Sequence, residues 1–266
     1  MSEAAAPVIL AADSGLGGLT IAAEIRKALP QARLAYLCDN AFFPYGTRPD
    51  GELLAHFLGV MNRAIDRVQP DLIVTACNTI STICLPQLRA ATSIPVVGVV
   101  PAVKPAAQHS KRKIIGLLAT PATVNRTYTD DLIQRYATDC TVLRIGSAEL
   151  VEMAEAQLLG EAVDRERLSR ILAPFFDLPI DMQPDIVVLA CTHFPLLRAE
   201  LEALGPSGVA WIDSGAAVAR RVVDVLPPPR ARGLDADLAL TSAASDAAMR
   251  RALAQAGFAD IETLRG

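Results

Sequence analysis

Two cysteines stand in matching places in the two halves of the chain. Each closes a short apolar run that begins with a Pro-Asp pair, and two polar residues follow each of them. The first copy ends in Cys77-Asn78-Thr79 and the second in Cys191-Thr192-His193. Such apolar runs are typical of buried strands in parallel sheets, and open α/β sheets bind ligands at the carboxyl ends of their strands. The repeat therefore predicts two thiols in equivalent positions of a symmetric site.

A pair of thiols can transfer protons in both directions near neutral pH. A free thiol has a pKa of about 8.5, which a helix N-terminus or neighbouring donors can lower, so both acid and base forms are accessible. Inverting a tetrahedral carbon needs a base on one face and an acid on the other. Cys77 and Cys191 meet that requirement, and His193 is close enough in sequence to tune Cys191.

Other interpretations of these residues stay open. A single cysteine after a buried strand is most often a packing residue, and Cys84 is expected to be one. A metal site made of Cys77, Cys191, His193 and Asp13 is conceivable, but no pair of them has the spacing familiar from zinc sites. The sequence therefore favours proton transfer over metal binding.

Strands alternate with helical segments along the whole chain, which predicts parallel sheets built from βαβ units. Apolar runs predict strands at Val8–Ala12, Arg33–Cys38 and Lys113–Ala119, in addition to the two that precede the cysteines. Around Pro101 the pattern is interrupted and a second series of strands and helices begins. The chain is therefore expected to be an α/β protein with two such series.

Composition limits the kinds of protein this chain can be. At 266 residues it can form one large α/β domain or two smaller ones. Its net charge of −4 argues against nucleic acid or an anionic membrane as an obligatory partner. The five cysteines form no CxxC pair, and no apolar stretch approaches ~20 residues. We therefore expect a reduced, cytoplasmic protein without a secretory signal or a membrane span.

Two loops outside the cysteine repeat are further candidates for ligand contact. The first predicted strand runs into Asp13-Ser14-Gly15-Leu16-Gly17-Gly18, where glycines allow tight geometry and a helix start attracts anions. The spacing is not that of a GxGxxG motif, so a plain βα turn capped by Asp13 or Ser14 stays an alternative. The Phe-Phe-Pro-Tyr-Gly cluster at 42–46 either packs over the sheet edge or places Tyr45 and the Gly46 N–H at the mouth of a pocket.

Six short motifs follow one another along the chain: Asp13-Ser14-Gly15, Pro44-Tyr45-Gly46, Ala76-Cys77-Asn78-Thr79, Ala119-Thr120, Ala190-Cys191-Thr192-His193-Phe194-Pro195 and Asp213-Ser214-Gly215. Together they resemble the aspartate/glutamate racemase family, and within it the glutamate racemases. The segments Pro95–Pro101 and Gly146–Glu152 resemble the proteobacterial branch. The resemblance covers essentially the whole chain in order, and the two cysteine motifs are highly specific.

The resemblance implies a reaction and roles for particular residues. The reaction is the cofactor-independent interconversion of L- and D-glutamate, which supplies D-glutamate for peptidoglycan. Cys77 and Cys191 are implied as the two proton carriers, one facing each side of Cα, and Cys77 is favoured as the one that acts on the D form. Asp13 and His193 are implied to assist the nearby thiols.

The resemblance also implies how the substrate is held. A supporting carboxylate is expected in the helix that carries Glu149, Glu152 and Glu155, with Glu155 favoured and Glu152 as the alternative. Both substrate carboxylates are expected to bind neutral N–H and hydroxyl donors at helix starts. The implied substrate-binding residues are Asp13, Ser14, Tyr45, Gly46, Asn78, Thr79, Thr120, Thr192 and His193.

From the family we expect two pseudo-symmetric flavodoxin-like parallel-sheet domains with the active site in the interdomain cleft. The first domain is expected at residues 1–98 and 210–266, and the second at 99–209. The implied partners are glutamate, the activator UDP-N-acetylmuramoyl-alanine and a second copy of the chain in a homodimer. No nucleic acid, membrane, metal or organic cofactor is expected.

Three rival functions fit the same residues less well. An aspartate or hydantoin racemase would keep the fold, but Thr192-His193 and the Pro44-Tyr45-Gly46 loop favour glutamate. A hydrolase would need one nucleophilic cysteine and form an acyl-enzyme. A binding module would hold its ligand without exchanging the α-hydrogen.

Overall fold

The chain alternates strands and helices almost strictly in the computed structural model, which describes residues 6–229 and 234–264. In chain order the elements are β1 (Val8–Asp13), α1 (Leu19–Ala28), β2 (Arg33–Cys38), α2 (Asp50–Val68), β3 (Leu72–Thr75), α3 (Asn78–Ala91), β4 (Val96–Gly98), α4 (Val103–His109), β5 (Ile114–Ala119), α5 (Pro121–Val124), α6 (Thr127–Tyr136), β6 (Thr141–Gly146), α7 (Glu149–Leu158), α8 (Arg165–Phe176), β7 (Ile186–Ala190), α9 (Arg198–Leu204), β8 (Ala210–Ile212), α10 (Gly215–Val225), β9 (Leu238–Thr241), α11 (Ala247–Gln255) and β10 (Asp260–Thr263).

The strands form two parallel sheets that repeat one topology. The first sheet has the order β10-β9-β2-β1-β3-β4 and the second the order β6-β5-β7-β8. The four strands β2-β1-β3-β4 and the four strands β6-β5-β7-β8 thus follow the same order. In each set, the second strand pairs on one side of the first strand and the third strand pairs on the other side. This reversal creates a switch point between β1 and β3 in the first sheet and between β5 and β7 in the second. The prediction of two parallel-sheet α/β domains is confirmed.

The chain divides into two compact units, residues 1–99 with 215–266, and residues 100–214. The sequence-based boundary assigned the chain from residue 210 onward to the first unit, whereas β8 pairs in parallel with β7, Trp211 opposite Val187. Residues up to Ser214 therefore belong to the second unit. The return begins at Gly215 because α10 packs against α1 and β4.

The central strands of each sheet are buried because their side chains on both faces are covered, whereas the edge strands β6 and β10 are largely exposed. All residues of β1, β3 and β7 are buried, as parallel sheets flanked by helices require. Helix α2 buries one stripe against the first sheet, consisting of Leu53, Phe57, Val60, Met61, Ala64 and Val68. Each large side chain of such a stripe contributes roughly 1.5–3 kcal/mol to folding. Within the described ranges, no helix has the length and apolar character needed to span a bilayer.

Candidate active site

The first half-site lies at the switch point of the first sheet. Asp13 is the last residue of β1, and Cys77 directly precedes α3, two residues after β3 ends. The two strands are held in register by Ala12 opposite Thr75, and the Ala76 N–H donates to the Ala12 carbonyl at 2.8 Å. Asp13 is fully buried and Cys77 almost so. Neighbouring strand ends thus carry the carboxylate and the thiol.

The turn after β1 is shaped around the Asp13 carboxylate. The Ser14 N–H donates to Asp13 Oδ1 at 2.6 Å, and the Tyr36 hydroxyl donates to the Gly15 carbonyl at 2.6 Å. A Cβ on Gly18 would stand 2.7 Å from Asp13 Cβ and 2.9 Å from the Tyr36 hydroxyl oxygen. Gly18 is therefore required for close approach to Asp13 and Tyr36.

The first turn of α3 places polar groups beside Cys77. Asn78 and Thr79 are both buried, and the amino end of this 14-residue helix favours negative charge at the cysteine position. Asn78 Oδ1 has no hydrogen-bond donor among the described residues. A buried acceptor without a donor costs about 1–3 kcal/mol, so this oxygen favours an incoming N–H group.

The segment after β2 places Tyr45 differently from the pocket-mouth interpretation. Tyr45 is only 1% exposed, and its hydroxyl donates to Asp39 Oδ2 at 2.5 Å. Burial, followed by the negative charges of Asp39, Cys77 and Asp13, raises the pKa of Tyr45 well above its usual value. The hydroxyl therefore stays protonated and engaged with Asp39, while Gly46 continues a 3-10 turn, Tyr45–Thr47.

The second half-site lies at the equivalent switch point of the second sheet. Ala119 at the end of β5 is opposite Ala190 at the end of β7. Thr120 follows β5 and caps α5, where its Oγ1 accepts from the Thr123 N–H at 3.3 Å. Cys191 follows β7 directly, and it is as buried as Cys77, each being 7% exposed.

Cys191 is joined to a buried histidine and carboxylate. Its Sγ lies 3.9 Å from His193 Nδ1, within hydrogen-bonding reach for sulfur, and His193 Nε2 lies 2.8 Å from Glu155 Oε2. Burial opposes charge on this ring, but the hydrogen bonds to Cys191 and Glu155 and their charges raise the pKa of His193 well above 6.5. The imidazole is therefore able to hold a proton next to the thiol at neutral pH.

The three candidate carboxylates of α7 have different surroundings. Glu155 is buried and contacts His193, whereas Glu152 is exposed. Glu149 forms an ion pair with Arg167. Of these three, Glu155 is the one that hydrogen-bonds to the histidine beside Cys191.

Replacing Glu155 with glutamine should lower the pKa of His193 and destabilise the protein in a pH-dependent way. The raised pKa stabilises the folded state fully below the unfolded value of about 6.5, and this contribution is lost as the pH rises through the folded value. The difference in melting temperature between parent and Glu155→Gln should therefore be largest near pH 6 and shrink at higher pH. Glu152→Gln, on the exposed face of the same helix, should show no such trend. A difference that grows with pH would contradict the role of Glu155.

The two half-sites share a layout and differ in chemistry. Asp13 and Thr120 occupy equivalent strand ends, as do Cys77 and Cys191. Cys77 begins a long α-helix, whereas a single 3-10 turn, Phe194–Leu197, separates Cys191-Thr192-His193 from α9. A helix end thus lies beside one thiol and the His193–Glu155 pair beside the other.

The remaining predicted residues lie at the same strand ends, and the sequence missed two polar neighbours. Ser14 and Thr192 are buried next to Asp13 and Cys191. The Asp39 carboxylate is hydrogen-bonded to both Tyr45 and His56. No sequence motif indicated Asp39 or His56. Across the described residues, no group of three or more His, Cys, Asp or Glu side chains is arranged to hold a metal ion.

Comparison with known proteins identifies the class to which this fold and site belong. The family model for Asp/Glu/hydantoin racemases matches residues 19–222. The chain therefore belongs to the aspartate/glutamate/hydantoin racemase family. Within it, the chain has the activity of a glutamate racemase, as relatives that match nearly its whole length show.

Those relatives cover most of the chain. A glutamate racemase of Pectobacterium carotovorum is 52% identical over 81% of this chain and 75% of its own length. One of Shewanella loihica is 46% identical over 97% and 96%. The crystal structure of Escherichia coli glutamate racemase in complex with L-glutamate and the activator UDP-MurNAc-Ala is 44% identical, with a TM-score of 0.93 and 98% of each chain covered. The predicted family, fold and activity are confirmed.

Proposed function

We propose that the chain interconverts L- and D-glutamate by a two-base mechanism in which Cys77 and Cys191 carry the protons. The observation that carries this proposal is the repeated topology, which gives each thiol the same place at a sheet's switch point. One thiolate removes the α-proton and becomes a thiol, leaving a carbanion at Cα. The other thiol then delivers its proton to the opposite face and becomes a thiolate. The reverse reaction exchanges these roles, so no net proton is consumed.

The groups around Cys77 fit the ammonium end of an amino acid. Asp13 supplies a buried negative charge, and Asn78 Oδ1 supplies an acceptor without a donor among the described residues. We propose that these two side chains bind the substrate ammonium. Pairing with a cation offsets the cost of burying the Asp13 carboxylate. Ser14 and Thr79 add further donors next to them.

The groups around Cys191 fit proton transfer assisted by a histidine. We propose that His193, held by Glu155, stabilises negative charge on Cys191 when that thiol has lost its proton. Thr120 and Thr192 supply hydroxyl groups for a substrate carboxylate. Neutral donors of this kind bind carboxylates without an arginine.

Deuterium exchange tests the proposal directly. Each glutamate enantiomer is incubated with the protein in D2O, and the product is analysed by chiral separation and NMR. We expect inversion with one deuterium at Cα and no comparable turnover of aspartate or hydantoins. Binding without exchange would indicate a binding module, and an acyl-enzyme would indicate a hydrolase. Either result would overturn the proposal.

We also propose activation by UDP-N-acetylmuramoyl-alanine, a cytoplasmic location and a homodimeric state. Support for activation comes from the Escherichia coli enzyme, whose structure contains that activator. Adding the compound to the same exchange assay should raise the rate of deuterium exchange.

Sedimentation of the purified chain measures its oligomeric state. Cell fractionation tests the location.

A further inference from the structure

A polar cluster with a buried carboxylate at its centre lies beside the Tyr45–Gly46 segment of the first unit. Asp39 directly follows β2 and is fully buried. Its Oδ2 accepts the Tyr45 hydroxyl at 2.5 Å and lies 2.8 Å from His56 Nε2, on α2. Its Oδ1 has no hydrogen-bond partner among the described residues. Burying a carboxylate costs free energy unless the carboxylate is paired. The hydrogen bonds to Tyr45 and His56 offset this cost for Asp39.

The same cluster holds the preceding part of the loop. The His56 ring stacks on Phe42 with centroids 3.9 Å apart and planes 9° apart. The Arg48 guanidinium lies 4.6 Å from the centroid of Phe42. Phe42 and Arg48 flank the Tyr45–Gly46 segment in sequence, so α2 restrains it through both a hydrogen bond and a stacked ring.

The cluster is also tied to the strand end that carries Asp13. The Asp39 N–H donates to the Asp13 carbonyl at 2.8 Å, and the Phe42 N–H donates to the Asp39 carbonyl at 3.1 Å. Displacing Asp39 would therefore move the start of the loop relative to Asp13. A short hydrogen-bonded path thus links α2, the loop and the half-site.

We propose that Asp39 and His56 are positioning residues that fix the Tyr45–Gly46 segment for glutamate binding, an inference that rests on the proposed function. Because the Tyr45 hydroxyl is bound to Asp39 and buried, Tyr45 serves the substrate through its fixed backbone and ring rather than as a hydroxyl donor. The Gly46 N–H, one residue further, is the group whose direction this arrangement sets. A Gly46 N–H that points in the wrong direction weakens substrate binding more than it slows proton transfer.

The test separates KM from kcat in a set of purified variants. Asp39→Ala should raise KM for both enantiomers about tenfold or more, since a hydrogen bond to a charged group is lost, with kcat changed less than about threefold. Asp39→Asn still accepts the Tyr45 hydroxyl and should keep KM within about threefold of the parent. Unchanged KM in Asp39→Ala would overturn the proposal.

A double-mutant cycle shows whether Asp39 acts through Tyr45. If it does, Asp39→Ala combined with Tyr45→Phe should raise KM no more than the larger single change. Independent, multiplying effects would overturn the proposal. Should Asp39→Ala fail to fold, His56→Phe keeps a ring for stacking on Phe42 and loses only the hydrogen bond. A KM raised severalfold supports the proposal and an unchanged KM overturns it.

Asp237 provides the matched control. It also accepts two hydrogen bonds, from Arg26 Nη2 at 2.7 Å and the Leu34 N–H at 2.9 Å, but near the amino end of β2. Asp237→Ala should lower the melting temperature without changing KM. A rise in KM equal to that in Asp39→Ala would show that Asp39 acts only through stability.

Cys77→Ser in the same assay keeps the two proposals apart. Its activity tests the two-base mechanism, whereas KM in the Asp39 variants tests positioning.

Discussion

Serine in place of either Cys77 or Cys191 should reduce racemisation by about 10²–10⁴-fold, the usual contribution of a positioned acid or base. A serine hydroxyl is a far weaker acid than a thiol, so near neutral pH it supplies no alkoxide to remove the α-proton. For the same reason it delivers its own proton to the carbanion more slowly than a thiol does. In D2O, both single variants should therefore invert glutamate far more slowly than the parent. Each should still exchange the α-hydrogen slowly, without inversion, for the one enantiomer whose Cα–H faces the remaining thiol.

Two other cysteines serve as controls for this experiment. Cys84 lies on α3 and is buried, and burial raises its pKa to about 12, too high for a base at neutral pH. Cys140 is partly exposed after α6. Serine at either position should leave kcat within about threefold of the parent, as surface or packing changes do. Parental inversion rates in Cys77→Ser or in Cys191→Ser would refute the two-base mechanism.

Much of this site could be predicted from the sequence because strand ends carry it. A buried parallel strand is an apolar run whose last residue is visible in the sequence, and Asp13, Cys77 and Cys191 each stand at such an end. Glu155, which the resemblance favours over Glu152, shares the buried face of α7 with Leu150, Val151 and Ala154.

Other features depended on tertiary structure that the sequence does not display. The sequence-based boundary at residue 210 placed β8 in the first unit, but the strand that pairs with β8 is β7. His56 borders the buried stripe of α2, three residues after Leu53, and nothing in that spacing indicates Asp39 as its partner.

The difference between the two half-sites has a consequence for how each thiol carries charge. In the proposed mechanism, Cys77 relies on fixed dipoles at the start of α3, which do not titrate. Cys191 relies there on His193, a group that itself gains and loses a proton. Loss of the imidazole should therefore slow the proton-transfer step at Cys191 and leave the step at Cys77 nearly unchanged.

His193→Asn should lower kcat on the order of 10²-fold, because asparagine holds no proton beside Cys191. The two enantiomers have equal free energies in water, so kcat/KM must fall equally in both directions. The isotope effects need not be equal. With Cys77 acting on the D form, α-deuterated L-glutamate should show a larger primary isotope effect than in the parent. Its deprotonation by Cys191 has become the slow step.

α-Deuterated D-glutamate should behave in the opposite way in this variant. Its deprotonation by Cys77 becomes reversible before the slow proton delivery from Cys191, so its isotope effect should shrink. His109→Asn provides the control, since His109 is exposed on α4 and bonds the Pro105 carbonyl at 2.7 Å. Equal isotope effects for both enantiomers in His193→Asn would mean that the imidazole does not act specifically on Cys191. A reversed asymmetry would instead assign Cys191 to D-glutamate, because the slow step always marks the enantiomer that the weakened thiol deprotonates.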